Sequence, residues 1–419
     1  MTAPSTGALF GAQCAVVGPL ARRFAADGQR LYLVGGVVRD VLLGRIGDHS
    51  DFDLTTDAPP DRIRRLIEGV ADAVWLQGEK FGTIGARLGG DTFEITTHRA
   101  EAYLSDSRKP VVSFSTRLED DLLRRDFTVN AMAFDVVDET LHDPLGGQAD
   151  LDARLLRTPL APEESFSDDP LRTLRAARFL AGYELTAAPG LLEAAGSVAE
   201  RLRIVSAERI RDELWRLFAL PDPGVGFAFL DEARLLPLLL PEVSDRSAEQ
   251  RAEAFRRSVA AEPVPEVRLA ALLLEMPAPG LDGRLRALRL SGEQRTKVLG
   301  LVSAVGSVRE RTADGWSDEA VRRLAASAGD QLAATVALAT AAGVATGVLQ
   351  TRLGALRAEG ELDDLGPALG GAEVIDLLGL EPGPDVGEAL AWLADLRFRE
   401  GRLDPDEEGH RLVAWWEGR

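Results

Sequence analysis

Cysteine is nearly absent from this 419-residue chain, where Cys14 stands alone. One thiol excludes a disulfide framework and any metal cluster held by thiolates, so Cys14 is expected to be a small core residue. Histidine is scarce too, with only His49, His98, His142 and His410. No apolar run approaches the ~20 residues that a membrane-spanning helix needs. Residues 1–11 carry neither the basic start nor the apolar core of a secretory signal. The expected location is therefore the cytoplasm, with no membrane partner. Basic residues are in deficit, 48 Lys and Arg against 67 Asp and Glu, for a net charge of -19. That balance argues against indiscriminate nucleic-acid binding, although a local basic face can still hold an RNA. No internal repeat and no extended low-complexity tract is present. What remains is an ordinary globular composition, 45% hydrophobic and 27% charged. The length gives room for about two to four domains.

The stretch LYLVGGVVRDVLLGRIGDHSDFDLTT, Leu31 to Thr56, is the most informative. Leu31 to Val34 is a short apolar run that suits a buried strand. Gly35 and Gly36 stop it and let the backbone approach something bulky. Apolar residues then recur at helical spacing from Val37 to Leu43, and Gly44 stands where a helix would end. A helix start preceded by glycines offers free N–H groups to a phosphate. In Asp51-Phe52-Asp53-Leu54 the polar and apolar residues alternate, so a strand would place Asp51 and Asp53 on one face. Two carboxylates side by side repel unless a cation lies between them, and a divalent metal with oxygen ligands fits best. Taken alone, an Asp-x-Asp near a turn is more often solvated or capping.

Gly35-Gly36-x-x-Arg39-Asp40, Leu42-Leu43-Gly44 and Asp51-x-Asp53 together resemble the head of the class II tRNA nucleotidyltransferase and bacterial poly(A) polymerase family, a branch of the polymerase-beta-like nucleotidyltransferases. The resemblance implies that Asp51 and Asp53 hold two Mg2+ ions. It also implies that Gly36 and Arg39 contact the incoming triphosphate.

Further stretches extend it. FGTIGARLGGDTFEITTHRAEAY reads as two strands joined by Gly89-Gly90-Asp91. Glu94 is then either a third carboxylate of the same site or a surface residue on a strand edge; the resemblance favours the catalytic role. LSDSRKPVVSF reads as a loop, matching a family loop needed for adding the final A. In LLRRDFTVNAMAF, Arg124, Arg125 and Asp126 precede a helical pattern through Phe127, Ala131 and Phe134. Guanidinium groups pair with phosphate oxygens in a fork, and a carboxylate can accept from a ribose hydroxyl, although such a cluster is usually a surface ion-pair group. The stretch resembles the family's R-R-D-F-T-x-N-A, which implies triphosphate contact for Arg125 and ribose selection for Asp126.

SDDPLRTLRAARFLAGYEL starts a helix at Pro170, with Arg172, Arg175 and Arg178 at every third position and Asp169 within reach of Arg172. C and A both present an amine donor beside a ring acceptor, whereas U and G present the reverse. A carboxylate with a guanidinium therefore accepts C or A, each bidentate match being worth ~1–3 kcal/mol. The alternative is a helix cap, Asp169, paired with Arg172. The stretch resembles the family's amino-acid template E/D-D-x-x-R, with Asp168 in place of Glu. That implies base reading by Asp169 and Arg172 and support from Arg175 and Arg178. IVSAERIRDELWRLF is an amphipathic helix with Ser206 as its cap and Arg209 and Glu213 at i,i+4; it resembles the helix that braces the family's neck, and we read it as structural.

Beyond Phe218 the chain reads as helices rich in Ala, Leu and Arg. VRLAALLLEMPAPG resembles the segment that opens a metal-dependent HD phosphohydrolase domain in bacterial relatives, but Leu274-Glu275 stands where a His-Asp pair would be. Leucine cannot ligate a metal, so the helical body persists without that chemistry. Arg284, Arg286, Arg289, Arg295 and Lys297 either line a tRNA groove or form a solvated helix face, and the charge pattern favours the solvated face. Trp415 and Trp416 suit a packing anchor better than a base-stacking platform.

The expected fold is α+β: a polymerase-beta-like head with a mixed sheet and helices over residues 1–148, then a helical neck over 149–225, a degenerate HD-like body over 226–330 and a tRNA-binding tail over 331–419. The implied activity is template-independent addition of C, C and A, from CTP and ATP, to the 3′ end of tRNA with release of pyrophosphate. Partial CC or A addition and poly(A) synthesis share most of these residues. The Phe-x-x-x-His hallmark of the poly(A) enzymes is missing at Glu79-Lys80-Phe81-Gly82-Thr83. A catalytically inactive RNA-binding protein would not need Asp51, Asp53 and Arg125 intact.

Overall fold

In the computed structural model, which describes residues 6–45, 51–102, 111–311 and 315–419, the strand expected at Leu31 ends where the glycines begin. β1 (Leu31–Val34) is buried along its length, and a helix over Gly36–Leu42 follows at once. Gly35 turns between them at φ 73°, a conformation that a side chain would strain. β2 (Asp51–Thr56) returns antiparallel to β1, with Leu33 opposite Leu54. β3 (Ala73–Trp75), β4 (Thr83–Leu88) and β5 (Asp91–Thr97) form an antiparallel meander. Gly89 and Gly90 both have positive φ, as the two-residue hairpin between β4 and β5 requires. β5 then runs parallel to β2, with Asp53 opposite Glu94. β6 (Arg99–Ala102) and β7 (Val111–Phe114) pair only with each other, while β8 (Ala133–Asp135) and β9 (Thr140–His142) complete the far edge. Among the described residues the sheet order is β3-β4-β5-β2-β1-β8-β9, a mixed sheet as expected. The loop expected around Ser107 lies outside the described residues.

One local expectation is corrected. Phe127 to Phe134 is not a helix: a single 3-10 turn over Thr128–Asn130 leads directly into β8. Phe127, Val129, Ala131, Met132, Ala133 and Phe134 are all buried. A run buried on every side carries no periodicity that separates helix from strand, and pairing with β1 and β9 decides for strand. Cys14 is half-buried rather than a core residue.

Contacts divide the chain into two units, Met1–Leu217 with Val225–Leu239, and Phe218–Gly224 with Leu240–Arg419. The helix Gly224–Glu232, expected at the start of the body, thus packs mainly with the first unit. Gly226 permits this, since a Cβ there would lie 2.8 Å from the carbonyl oxygen of Ala177. In the second unit, Val374, Val386, Ala389, Leu393 and Leu412 form a core against which Trp392, Trp415 and Trp416 pack. Trp392 and Trp415 stack with ring centroids 4.9 Å apart, so the tryptophans anchor the packing. Leu274 is buried after the helix Pro265–Leu273, and Glu275 accepts from Arg309 at 3.2 Å. Arg284 pairs with Glu242, Arg286 and Arg295 with Asp282, and Lys297 with Glu293. These cations sit in ion pairs.

Gly147 opens a short helix beside the 3-10 turn, and a Cβ there would lie 2.2 Å from the carbonyl oxygen of Thr128. A backbone atom cannot swing aside, so Gly147→Ala is expected to destabilise the first unit by ~1–3 kcal/mol. Urea unfolding measures this; an unchanged midpoint would contradict the packing.

Candidate active site

Along β2 the residues alternate, Asp51 and Asp53 outward and Phe52 and Leu54 into the core. The parallel register sets Glu94 beside Asp53 on the same face. The three carboxylates feel one another. Burial raises the Asp53 carboxyl above its ordinary value, Arg125 opposes this, and Asp51 adds to it. Burial, then Asp53, then Asp51 raise Glu94. The turn at Gly35 brings its backbone against the same point: a Cβ there would lie 3.3 Å from Arg125 Nη1 and 3.7 Å from Asp53 Oδ2. Among the described residues no three His, Cys, Asp or Glu side chains form a closed metal cage. An open pair of carboxylates is nevertheless what Mg2+ uses when substrate phosphates and water supply its remaining oxygen ligands. The residues present therefore fit that ion.

Arg125 is held by Asp121, which accepts from Arg125 Nη2 at 3.0 Å and from Arg124 Nε at 3.2 Å. Burial alone would raise the Asp121 carboxyl, but the two guanidinium groups more than offset it and bring it down to about 2. Asp121 was not singled out from the sequence; its spacing three and four residues before Arg124 and Arg125 was the available signal.

Asp126 is fully engaged. One oxygen accepts from the Phe127 N–H at 2.8 Å and the Asn130 amide at 3.0 Å; the other accepts Arg175 Nε at 2.8 Å and Nη2 at 2.6 Å. Burial works against its charge, yet Arg175 and these hydrogen bonds keep the carboxyl below its ordinary value. Arg175 and Arg178 share a second buried carboxylate, Glu213, at 3.4 and 2.8 Å. Arg39 is buried, donates to both Asp40 oxygens at 2.9 and 3.0 Å and to Asn130 and the Tyr183 hydroxyl, and lies 4.1 Å from the Tyr183 ring centroid. A Cβ at Gly36 would touch Arg39 Nη2 at 3.4 Å. Tyr183 and Asn130 thus join the set as residues that sequence reasoning passed over. An aromatic at the end of a helix gives no sign of the distant arginine that it meets.

The expected reach of Asp169 to Arg172 is corrected. Asp169 lies between the helices Pro162–Asp168 and Leu171–Gly182 in an extended conformation, φ -135° and ψ 99°. The Arg172 N–H donates to the Asp169 backbone carbonyl at 2.9 Å, while the two side chains take other partners. One oxygen accepts from the Leu171 N–H at 3.1 Å and the other from Arg209 Nη2 at 3.0 Å. Arg172 is buried and donates to Ser165 Oγ at 2.8 Å and to the carbonyl of Arg124. The expected i,i+4 pairing of Arg209 with Glu213 is likewise replaced, since Glu213 turns to Arg175, Arg178 and Arg216. The helix Ala207–Phe218 does brace its neighbour, as expected, through this carboxylate.

A mixed sheet with two carboxylates on one strand beside a Gly-Gly turn is the arrangement that the resemblance to nucleotidyltransferases implied. Residues 31–157 match the family described as the poly(A) polymerase head domain, and residues 185–246 match that described as a probable RNA and SrmB-binding site of polymerase A. The CCA-adding enzyme of Geobacillus thermodenitrificans is 33% identical over 409 residues, 94% of each chain. That of Bacillus subtilis is 40% identical over 201 residues, 48% of this chain and 49% of its own. The Bacillus stearothermophilus CCA-adding enzyme, solved in complex with CTP, superposes with a TM-score of 0.74 at 27% identity over 98% of both chains. The chain belongs to the CCA-adding enzyme family.

The Asp121 ion pairs carry a pH dependence. The native carboxyl, at about 2, lies below the unfolded value of ~3.9, so their contribution is complete above that value and is lost as pH falls from it toward 2. Asp121→Asn leaves two guanidinium groups without their buried partner, at a cost on the order of 3 kcal/mol near neutral pH. Urea unfolding at stepped pH checks this. The gap between wild type and variant should narrow below ~pH 4; a constant gap would contradict it.

Proposed function

We propose that this protein is a template-independent RNA nucleotidyltransferase that adds C, C and A to the 3′ end of tRNA, with CTP and ATP as substrates and pyrophosphate as product. The observation that carries the reading is the shared face of Asp51, Asp53 and Glu94 against Gly35 and Arg125, in a chain whose likeness to CCA-adding enzymes runs nearly end to end.

Asp51 and Asp53 are assigned to two Mg2+ ions. When bound, Mg2+ supplies Lewis acidity toward the attacking RNA hydroxyl and the departing pyrophosphate. Glu94, whose carboxyl is raised by its surroundings and by Asp53 and Asp51, is assigned to the proton of that hydroxyl. The 3′-oxygen forms a bond to the α-phosphorus, and the bond from that phosphorus to the bridging oxygen of pyrophosphate breaks. Arg125 binds triphosphate oxygens in fork geometry, and the bare α-carbon of Gly35 leaves space beside it. Gly36 and Arg39 line the phosphates from below. Arg39 does so mainly by holding the turn, since Asp40, Asn130 and Tyr183 engage its guanidinium. Asp126 is assigned to the ribose, through an exchange of one of its present hydrogen bonds. Asp169 and Arg172 read the base, and Arg175 and Arg178, fixed by Glu213, support it.

The direct test is incubation with tRNA that ends before CC, followed by sequencing of the 3′ ends. CCA on most molecules is expected; tails of A alone, or ends left at CC, would replace the reading by poly(A) or partial addition. Asp51→Ala and Asp53→Ala should each abolish incorporation while melting as folded proteins. Wild-type incorporation by either variant in magnesium buffer would sink the metal assignment.

Base choice is a separate test. Arg172→Ala and Asp169→Ala should lower the CTP:UTP and ATP:GTP preference in kcat/KM by roughly tenfold to hundredfold, the loss of ~1–3 kcal/mol of discrimination. Unchanged ratios in both variants, with reduced melting temperature, would leave the two residues only their capping and bracing roles.

A further inference from the structure

The carboxylate face continues past Glu94 into a surface of a different character. In the β4–β5 hairpin Gly85 lies opposite Glu94 and Thr83 opposite Thr96. The Thr83 and Thr96 hydroxyls meet at 2.9 Å, so this rung lies on the Glu94 face, two residues further along β5. Arg99 reaches the same rung, donating to Thr83 Oγ1 at 2.7 Å. Phe114 lies opposite Arg99 in the β6–β7 hairpin and so shares its side. Its ring edge lies only 2.6 Å from where a Cβ of Gly82 would be. Trp75, opposite Gly85, covers that glycine so closely that a Cβ there would overlap its indole nitrogen at 1.8 Å. Phe81 stands next to Gly82 with Lys80 Nζ 4.9 Å from its ring centroid. Phe81 and Phe114 are 47% and 46% exposed, so each large aromatic presents ring surface to solvent.

We propose that this surface is the seat of the 3′-terminal nucleotides of the RNA acceptor, a reading that rests on the function given above. Bases stack on Phe114 and Phe81. Arg99 and Lys80 face the backbone phosphates, and Trp75 walls the side next to Glu94. Three arguments carry it. Exposed aromatic faces interleaved with cations are how proteins hold single-stranded nucleic acid without demanding a sequence. An acceptor that ends first in the base preceding the CCA and afterwards in C needs that tolerance. The surface also adjoins the reacting centre, since the rung from Glu94 to Thr96 is ~7 Å along a strand, a span that one nucleotide bridges. In a chain of net charge -19, Arg99 and Lys80 supply local positive charge where an RNA end must arrive.

The test uses Phe114→Ala, Phe81→Ala and the double variant, with Phe114→Tyr to keep the ring. Val137→Ala, an exposed apolar residue away from this face, is the control. Two quantities are read: KM for tRNA lacking CCA at saturating CTP, and Kd for an acceptor-stem minihelix by fluorescence anisotropy without nucleotide. Each single alanine variant should raise both by about tenfold and the double variant by about a hundredfold. Phe114→Tyr and Val137→Ala should follow wild type, and KM for CTP should stay put. A double variant with wild-type KM and Kd for RNA would overturn the platform, as would a rise confined to the KM for CTP. Should Phe114→Ala fail to fold, Phe81→Ala decides by the same two quantities. Wild type that binds the minihelix but never extends it would instead sink the nucleotidyltransferase reading, and the Kd values would still judge the platform.

Discussion

Three carboxylates on one face of a sheet repel one another, and the first unit of this chain is arranged around that constraint. The β2–β5 register puts Glu94 beside Asp53, and the alternation along β2 adds Asp51. At Asp53, burial and Asp51 favour the protonated carboxyl, and Arg125 opposes them. One guanidinium cannot neutralise three carboxylates, so the face retains an excess of negative charge that a divalent cation relieves. A stable protein would not gather these charges for its own packing. Their company costs stability and is explicable by what the face binds.

Behind that face each carboxylate is paired with one or more arginines. Asp121 fixes Arg124 and Arg125; Asp126 fixes Arg175; Glu213 fixes Arg175 and Arg178; Arg39 is clasped by Asp40, Asn130 and Tyr183. Asn130 also donates to Asp126, so side-chain contacts run without a break from the Gly-Gly turn to the helix that carries Arg172. Buried ion pairs of this kind contribute less to stability than to geometry, because their desolvation offsets most of their attraction. What they supply here is a fixed spacing between the Gly-Gly turn and the helix that carries Arg172.

Much of this arrangement was legible in the sequence wherever the signal was local. The strand Leu31–Val34, the Gly89-Gly90 hairpin, the shared face of Asp51 and Asp53 and the helix bearing Arg175 and Arg178 follow from patterning and turn chemistry alone. The failures are of another kind. Phe127 to Phe134, expected to be helical, forms a 3-10 turn that leads into β8, whose residues find partners in β1 and β9. Asp169 turns to Arg209 and Arg172 to the carbonyl of Arg124, partners 40 and 48 residues away. Pairings at that separation depend on how helices pack, which no local pattern encodes. The meeting of Phe114 with Gly82, the neighbour of Phe81, is invisible for the same reason, since the β6–β7 hairpin must first reach the start of β4.

In the second unit Glu275 accepts from Arg309. The claim that the carboxylate face of the first unit is built for Mg2+ and a nucleotide can be measured without turnover. Thermal unfolding of wild type and of the Asp51→Asn, Asp53→Asn double variant, with CTP present and Mg2+ titrated to millimolar levels, is the direct measurement. The account predicts a rise in Tm with Mg2+ for wild type and none for the variant, whose Tm without metal should equal or exceed that of wild type because the repulsion is gone. Equal rises in both proteins would contradict it.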